Sequence, residues 1–251
     1  MSGYEKRRLC AVILAAGKGT RMKSDLAKVL HPLCGKPMLT YSIEVARAIG
    51  AENIAVIIGH QADMVRKAFK GQELIFIEQR EQLGTGHAVL QAKNTFCHYH
   101  GTILILCGDV PLLRPSTVIA LYEHHVAEKA ALTVLTTILD DPTGYGRIIK
   151  RGSTGEVVRI VEEKDGSPDE KKIREINTGI YCVEADFLFR AVTEIGNKNV
   201  QKEYYLTDIV GIAWEQGFKT RSFIAVDSFE VMGINTLFDL TRASEHMTAC
   251  R

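Results

Sequence analysis

Five short runs constrain this 251-residue chain more than anything else in it: LCAVILA (9–15), NIAVIIG (53–59), ELIFIEQ (73–79), TILILCG (102–108) and ALTVLTTIL (131–139). Each is rich in aliphatic, often β-branched residues, and none has the in–out alternation of a sheet with one wet face. Strands apolar on both sides must be covered on both sides, which is the mark of a parallel sheet sandwiched by helices. Helical patterns fill the gaps between them. One starts at Pro37, a residue suited to a first turn, runs through Met38, Tyr41, Val45 and Ile49, and stops at Gly50. Others begin near Gln61, Gly84 and Pro115. The alternation predicts an α/β fold with a doubly wound, mainly parallel sheet.

After about residue 140 the rhythm changes. YGRIIKRGSTGEVVRIVEEKD (145–165) reads as a hairpin with glycine-containing turns, and DGSPDEKKIRE (165–175) as a charged, mobile stretch. A strand, NTGIYCVEA (177–185), helices near 185–195 and 204–216, the strand TRSFIAV (220–226) and a last helix after Asn235 complete the chain. No internal repeat and no low-complexity linker interrupts it. The expectation is one domain, 1–251, with two lobes.

The stretch LAAGKGTRMKSDLAKVL (14–30) follows the first strand and holds scarcely a residue suited to a core. In an open parallel sheet, ligands bind beyond the carboxyl ends of the strands. Gly17 and Gly19 let successive N–H groups point at an anion, and Lys18, Arg21, Lys23 and Lys28 supply positive charge. Two familiar phosphate motifs do not apply. Met22 stands where a dinucleotide fingerprint needs its third glycine, and GKGTRMKS is not a Walker loop. A solvated connection with ordinary lysines stays open beside a phosphate cradle.

Composition excludes several classes. A net charge of +1 argues against a dedicated nucleic-acid binder, without excluding a local basic site for a small anion. No run approaches the roughly 18 consecutive apolar residues of a membrane span, and the N-terminal apolar stretch reads as a first strand rather than a signal peptide. The cysteines (Cys10, Cys34, Cys97, Cys107, Cys182, Cys250) are scattered with no CxxC pair, which reads as reduced-thiol usage in an intracellular, cytoplasmic protein. CHYH (97–100) and the pair His124, His125 fit no common zinc spacing.

LAAGKGTRM followed by AKVLHPLCGKPML (27–39) resembles the signature of the sugar-nucleotide pyrophosphorylases. Further motifs fall in the order and spacing of their bacterial N-acetylglucosamine-1-phosphate uridyltransferase branch: EQREQLGTGHAV, GDVPLL, DDPTGYGRI, VEEKD, EINTGIYC, EYYLTDIV and VMGINT. The resemblance covers essentially the whole chain. It implies a Rossmann-like nucleotidyltransferase fold with a smaller sugar-binding lobe, the nucleotide lobe at about 1–110, the sugar lobe at about 111–228, and a metal-ligand segment with the C-terminal helix at 229–251.

The reaction it implies is attack by a sugar-1-phosphate on the α-phosphorus of UTP, with Mg²⁺. Arg21 and Lys28 then match catalytic phosphate-gripping residues. Leu14, Ala15, Gly17 and Gly19 match backbone contacts to the nucleotide, and Gln79, Gln82, Gly84 and Thr85 the base-reading segment. Helix capping stands as the structural alternative for Gly84 and Thr85. Asp109 and Asn235 match a metal pair, of a kind that suits Mg²⁺. Gly146, Glu162 and Asn177 match the sugar site, for which hairpin turn, solvated charge and strand start are the alternatives. Cys107 stands where some relatives carry a tyrosine near the sugar, and EYYLTDIV reads most simply as a packing helix. The substrates implied are UTP and N-acetylglucosamine-1-phosphate, without nucleic acid or membrane partners, and homo-oligomerisation is left open.

Bifunctional members of the branch add a left-handed β-helix of hexapeptide repeats that performs acetyl transfer; no such repeat occurs in this sequence. The expectation is uridyl transfer without acetyl transfer. Two rivals remain at this point: a same-fold enzyme for another sugar phosphate or nucleotide, and a catalytically silent nucleotide-binding module. Against the second stands the joint presence of Arg21, Lys28, Asp109 and Asn235.

Overall fold

The computed structural model describes residues 8–152 and 155–249. Residues 153 and 154 in the expected hairpin turn, and Cys250, lie outside the described residues. The elements run β1 (Leu9–Ala15), β2 (Pro32–Leu33), β3 (Lys36–Pro37), α1 (Met38–Ala48), β4 (Ile54–Ile58), α2 (Ala62–Ala68), β5 (Ile75–Glu78), α3 (Thr85–Leu90) and β6 (Thr102–Cys107). There follow α4 (Pro115–Glu128), β7 (Leu132–Ile138), β8 (Arg147–Arg151), β9 (Glu156–Val161), β10 (Glu175–Glu184), α5 (Ala185–Ala191), α6 (Asp208–Glu215), β11 (Thr220–Ile224) and α7 (Leu237–Ala249).

Among the described residues, one sheet runs in the order β11-β7-β10-β6-β1-β4-β5, with β8 joined to β10 and β9 to β8. The pairs β6–β1, β1–β4, β4–β5 and β11–β7 are parallel, whereas β10 lies antiparallel to both β6 and β7. The burial of both strand faces is plain in β1. Cys10 and Val12 pack into a core with Val89 of α3, Leu188 of α5 and Ile209 of α6. Their neighbours Ala11 and Ile13 face Ile43 of α1, Val65 of α2 and Leu121 of α4 on the other side. Double coverage is therefore what the continuous apolar runs encode.

Three expectations need correction. The run at 73–79 is no buried strand: β5 is the sheet edge, and its Ile75 is 36% exposed. The stretch 165–175 is held by local bonds, for Glu170 accepts from the Ser167 amide at 2.9 Å and hydroxyl at 2.7 Å and pairs with Arg159. The helix expected near 204 begins only at Asp208, because the backbone of the preceding residues is spent on a distant loop, as described below. Among the described residues, no helix is long and apolar enough to cross a membrane.

Candidate active site

Four parallel strands deliver the site. β1, β4, β5 and β6 end together, and the residues just past their carboxyl ends are the loop from Ala16, Gly59, Gln79 and the Gly108–Asp109 turn. The first cavity there, of about 310 Å³, is walled by Leu14, Ala15, Gly17, Gly19, Thr20, Arg21, Lys28, Val29, Asp109 and Asn235. A second, of about 500 Å³, shares Leu14, Gly17, Gly19, Thr20 and Asp109, and adds Lys18, Gln79, Gln82, Gly84, Thr85, Cys107 and Glu203.

Gly19 is required by the backbone. It sits at φ 60°, and a Cβ there would lie 2.6 Å from the Lys28 Cβ. Gly17 has no such constraint, since a Cβ there would meet nothing within 4 Å. Of the two glycines only Gly19 is demanded by the bend; Gly17 leaves open space beside the cavities.

Beyond Gly19 the loop brings its cations to two oxygens. Lys28 Nζ donates to Asp109 Oδ2 at 2.5 Å and to Asn235 Oδ1 at 2.6 Å, and Arg21 donates to the same Asn235 oxygen at 2.9 Å. Arg21 is exposed, but the Lys28 side chain is only 12% exposed, so Lys28 is less solvated than a surface loop lysine. Asn235 reaches this point because its segment is fastened at both ends. The Ile234 amide donates to the Asp109 carbonyl at 2.8 Å. Asp239 accepts from the amides of Asn235 at 3.0 Å and Thr236 at 2.8 Å, while its own amide donates to the Thr236 hydroxyl at 3.1 Å. This reciprocal cap starts α7. Although burial works against it, these donors hold the Asp239 carboxyl below its ordinary range.

One carboxylate and one amide oxygen thus converge on a single cation, the Lys28 ammonium. That donor set suits a hard divalent ion, which takes one or two protein groups and fills its shell with water and phosphate. Among the described residues, no group of three or more His, Cys, Asp or Glu is arranged to hold a metal. His100 pairs with Asp186, and His125 is buried between Thr133 and Glu184.

The second cavity is shaped by backbone proximity. Gly84 sits at φ 117°, where a Cβ would fall 2.5 Å from the Tyr204 carbonyl oxygen. Tyr204 donates to the Leu83 carbonyl and accepts from the Gly86 amide, each at 2.8 Å, and the Leu206 amide donates to the Thr85 hydroxyl at 3.0 Å. Gly84 and Thr85 therefore dock a strap, residues 203–207, and make no side-chain helix cap. Gln82 closes its own turn by donating to the Gln79 carbonyl at 3.0 Å. Gln79 is buried at the base of the cavity.

Gly146, Glu162 and Asn177 also come together. The Asn177 amide donates to the Gly146 carbonyl at 2.8 Å, and a Cβ on Gly146 would stand 3.4 Å from the Glu162 carboxylate. None of the three walls the two cavities above, and Glu162 instead lines a separate one of about 470 Å³ with Thr207, Tyr205 and Asp208. The Thr207 hydroxyl donates to Glu162 at 3.0 Å. Burial pushes the Glu162 carboxyl up, the Thr207 bond opposes that, and Asp208, Asp165 and Glu203 push it up again. Burial, with Asp165 beside it, raises Asp208 to about 6. The adjacent Glu163 is spent elsewhere, in a 2.7 Å pair with buried Arg147. Cys107 donates to the Gly179 carbonyl at 3.4 Å, and its thiol is pushed up by burial and by Asp109.

Sequence reasoning missed the strap. EYYLTDIV carried only a packing helix, yet Glu203 lines the second cavity and Thr207 holds Glu162. The signal that could have found it is three polar residues, Glu203, Thr207 and Asp208, around an otherwise apolar helix start.

With a Gly-bearing cationic loop at the carboxyl edge of a doubly wound sheet, the chain has the build of a nucleotide-binding enzyme. Residues 10–244 match the family model of the nucleotidyl transferases, and the chain belongs to that family. It is 56% identical over 236 residues to a "Bifunctional protein GlmU" of Geobacter metallireducens, covering 94% of this chain and 49% of that one. The protein of the same name from Geobacter sulfurreducens is 52% identical, over 95% of this chain and 50% of its own length. The chain thus spans about half the length of these relatives. A crystal structure of UDP-glucose pyrophosphorylase complexed with UDP-glucose superposes with a TM-score of 0.76, over 98% of this chain and 100% of that one. At 18% identity that likeness establishes the fold.

Proposed function

We propose that the site transfers the uridylyl group of UTP to N-acetylglucosamine-1-phosphate, giving UDP-N-acetylglucosamine and pyrophosphate. The observation that carries this reading is the convergence of Arg21, Lys28, Asp109 and Asn235 at the carboxyl edge of β1 and β6, next to a cavity floored by Gln79. Family membership, the relatives and the ordered motifs support it.

The nucleophile is an ionised phosphate oxygen, so the reaction needs positioning and charge neutralisation more than a general base. Arg21 and Lys28 supply that charge from places already set by their bonds to Asn235 and Asp109, and little reorganisation remains for the reacting moment. Asp109 and Asn235 would hold Mg²⁺, which when bound offsets repulsion between the two phosphorylated substrates and stabilises the leaving pyrophosphate. Leu14, Ala15, Gly17 and Gly19 line the phosphate path, and Gln79, Gln82, Gly84 and Thr85 form the base end. Gly146, Glu162 and Asn177 serve the sugar, with lobe limits near 110 and 228. The same reading makes this a cytoplasmic enzyme of small-molecule substrates.

Pyrophosphate release, assayed across the four ribonucleoside triphosphates, dTTP and several sugar-1-phosphates, tests the reading. UTP with N-acetylglucosamine-1-phosphate is expected to dominate, because wrong partners leave buried polar groups unpaired. Comparable turnover with ATP, or with dTTP and glucose-1-phosphate, would sink it.

A further inference from the structure

His87 lies within the QLGTGHA motif, in α3, and the reading above gives it no part. Its ring stands between Gln79 and a depression lined by Glu78, Arg80, Glu81 and Gln91, with the Tyr204 ring 6.3 Å away. Gln79 is 3% exposed, and its amide nitrogen has two partners: the Gly84 carbonyl at 3.0 Å and His87 Nδ1 at 3.0 Å. A side-chain amide has two N–H protons and one carbonyl oxygen. Both protons are therefore committed to the protein, and Oε1 is the atom left for a ligand.

The polarity of this corner follows from chemistry rather than from atom assignment. The Gly84 carbonyl can only accept, so the amide nitrogen must face it. His87 meets that second proton only with a lone pair at Nδ1 and its own proton on Nε2. This shifts the mismatch to the half-exposed Gln91, whose amide nitrogen lies 3.1 Å from Nε2 and 3.0 Å from the His87 carbonyl and turns over or toward solvent at less cost than the buried Gln79. With the opposite tautomer two N–H groups would meet at a buried position, a mismatch that costs more than a missing bond at the surface.

We propose that His87 is a positioning residue that, together with the Gly84 carbonyl, fixes the polarity of the base-reading amide. Held this way, Gln79 shows the base a carbonyl oxygen and no donor. Uracil answers it with its N3–H, whereas cytosine opposes it with a lone pair on N3. The selection of UTP over CTP thus depends on a residue that need not touch the nucleotide. The inference rests on the proposed reading of the Gln79 cavity as the base site.

The test measures kcat/KM for UTP and for CTP, with N-acetylglucosamine-1-phosphate as acceptor, in the wild type and in His87→Leu, His87→Phe and His87→Asn. Leucine and phenylalanine remove the acceptor with different shapes, so the ratio is read on whichever folds, as judged by circular dichroism. Asparagine returns an oxygen near the place of Nδ1. The UTP:CTP ratio is expected to fall about 10- to 100-fold without the acceptor, the scale of one stranded buried donor, and to recover in His87→Asn. An unchanged ratio in the folded apolar variants overturns the inference alone, as does an asparagine variant no better than they are. A wild type that uses UTP and CTP alike overturns the base-site reading, and the role of His87 with it.

Discussion

At the cradle, opposite charges hold one another; around Glu162, a half-buried carboxylate takes one neutral hydroxyl and has the further carboxylates of Asp208, Asp165 and Glu203 beside it. Lys28, Arg21, Asp109 and Asn235 form a mutual set in which each cation already has an oxygen partner. Glu162 has the Thr207 hydroxyl, the Gly146 backbone nearby and a raised carboxyl. On the proposed function the contrast separates two tasks. Neutralising a triphosphate needs preset charge whose partners can be exchanged for phosphate oxygens. Recognising hydroxyls needs a fixed acceptor, where a wrong partner leaves something unpaired.

The largest effects should fall on the cradle. Asp109→Asn keeps the shape and removes the charge; turnover should drop about 10²- to 10³-fold, and more Mg²⁺ should be needed for what remains. Asn235→Ala should act on the same step, so the double variant should be little worse than Asp109→Asn alone. Rate against Mg²⁺ for all four proteins decides this. Fully multiplicative losses, or an unaltered metal requirement, would show that the two residues do not act together.

Arg21→Ala and Lys28→Ala should each cost a similar factor in turnover, with Lys23→Ala within about twofold, since Lys23 walls neither cavity. Lys18, which lines the second, should fall between. The two large losses should differ in melting behaviour. Lys28→Ala removes the partner of a half-buried carboxylate and should also cost about 1–3 kcal/mol of stability, whereas the exposed Arg21 should not. Four variants alike in turnover would reduce the loop to a diffuse basic surface.

Around Glu162 a smaller change is expected. Thr207→Val should raise KM for the sugar phosphate by about tenfold, on the scale of one lost hydrogen bond to a charged group, and Thr207→Ser should restore it. A loss in kcat with KM unmoved would place Thr207 in the wrong half of the comparison.

The smallest effect concerns Asp208, whose carboxyl is raised from an ordinary 3.8 to about 6 by burial and Asp165. The folded state holds that proton more tightly than the unfolded chain. Stability is thus full below the ordinary value and falls as pH rises toward about 6. Asp208→Asn removes the charged form, so its melting temperature should exceed the wild type's above pH 6 by about 2–4 °C for each kcal/mol relieved, and match it near pH 3. A pH-independent difference would mean that the burial of Asp208 carries no charge penalty.

The cradle was easier to read from the sequence than the surroundings of Glu162. Arg21 and Lys28 sit in one loop after a recognisable strand, where charge stood out and the family resemblance gave it a role. The sequence showed a last helix after Asn235, while the Thr236–Asp239 cap that sets Asn235 in place emerged with the structure. Gly146, Glu162 and Asn177 are different: a hairpin turn, one of two adjacent glutamates and a strand residue. Nothing local tells Glu162 from Glu163; only the buried Arg147, which claims Glu163, and Thr207, which claims Glu162, separate them.

Sequence alone was enough for the inner strands, for their double coverage and for the place where β1 hands the chain to its cationic loop. Those features rest on local periodicity and on turn chemistry. Tertiary structure decided what no window of sequence contains. It made β5 an edge and set β10 antiparallel among parallel neighbours. It also laid residues 203–207 against Gly84, where a Cβ would meet the Tyr204 backbone at 2.5 Å. Each of these depends on which distant backbone groups find partners once the core has formed, and that is settled by packing across the whole chain rather than by any residue's own preference.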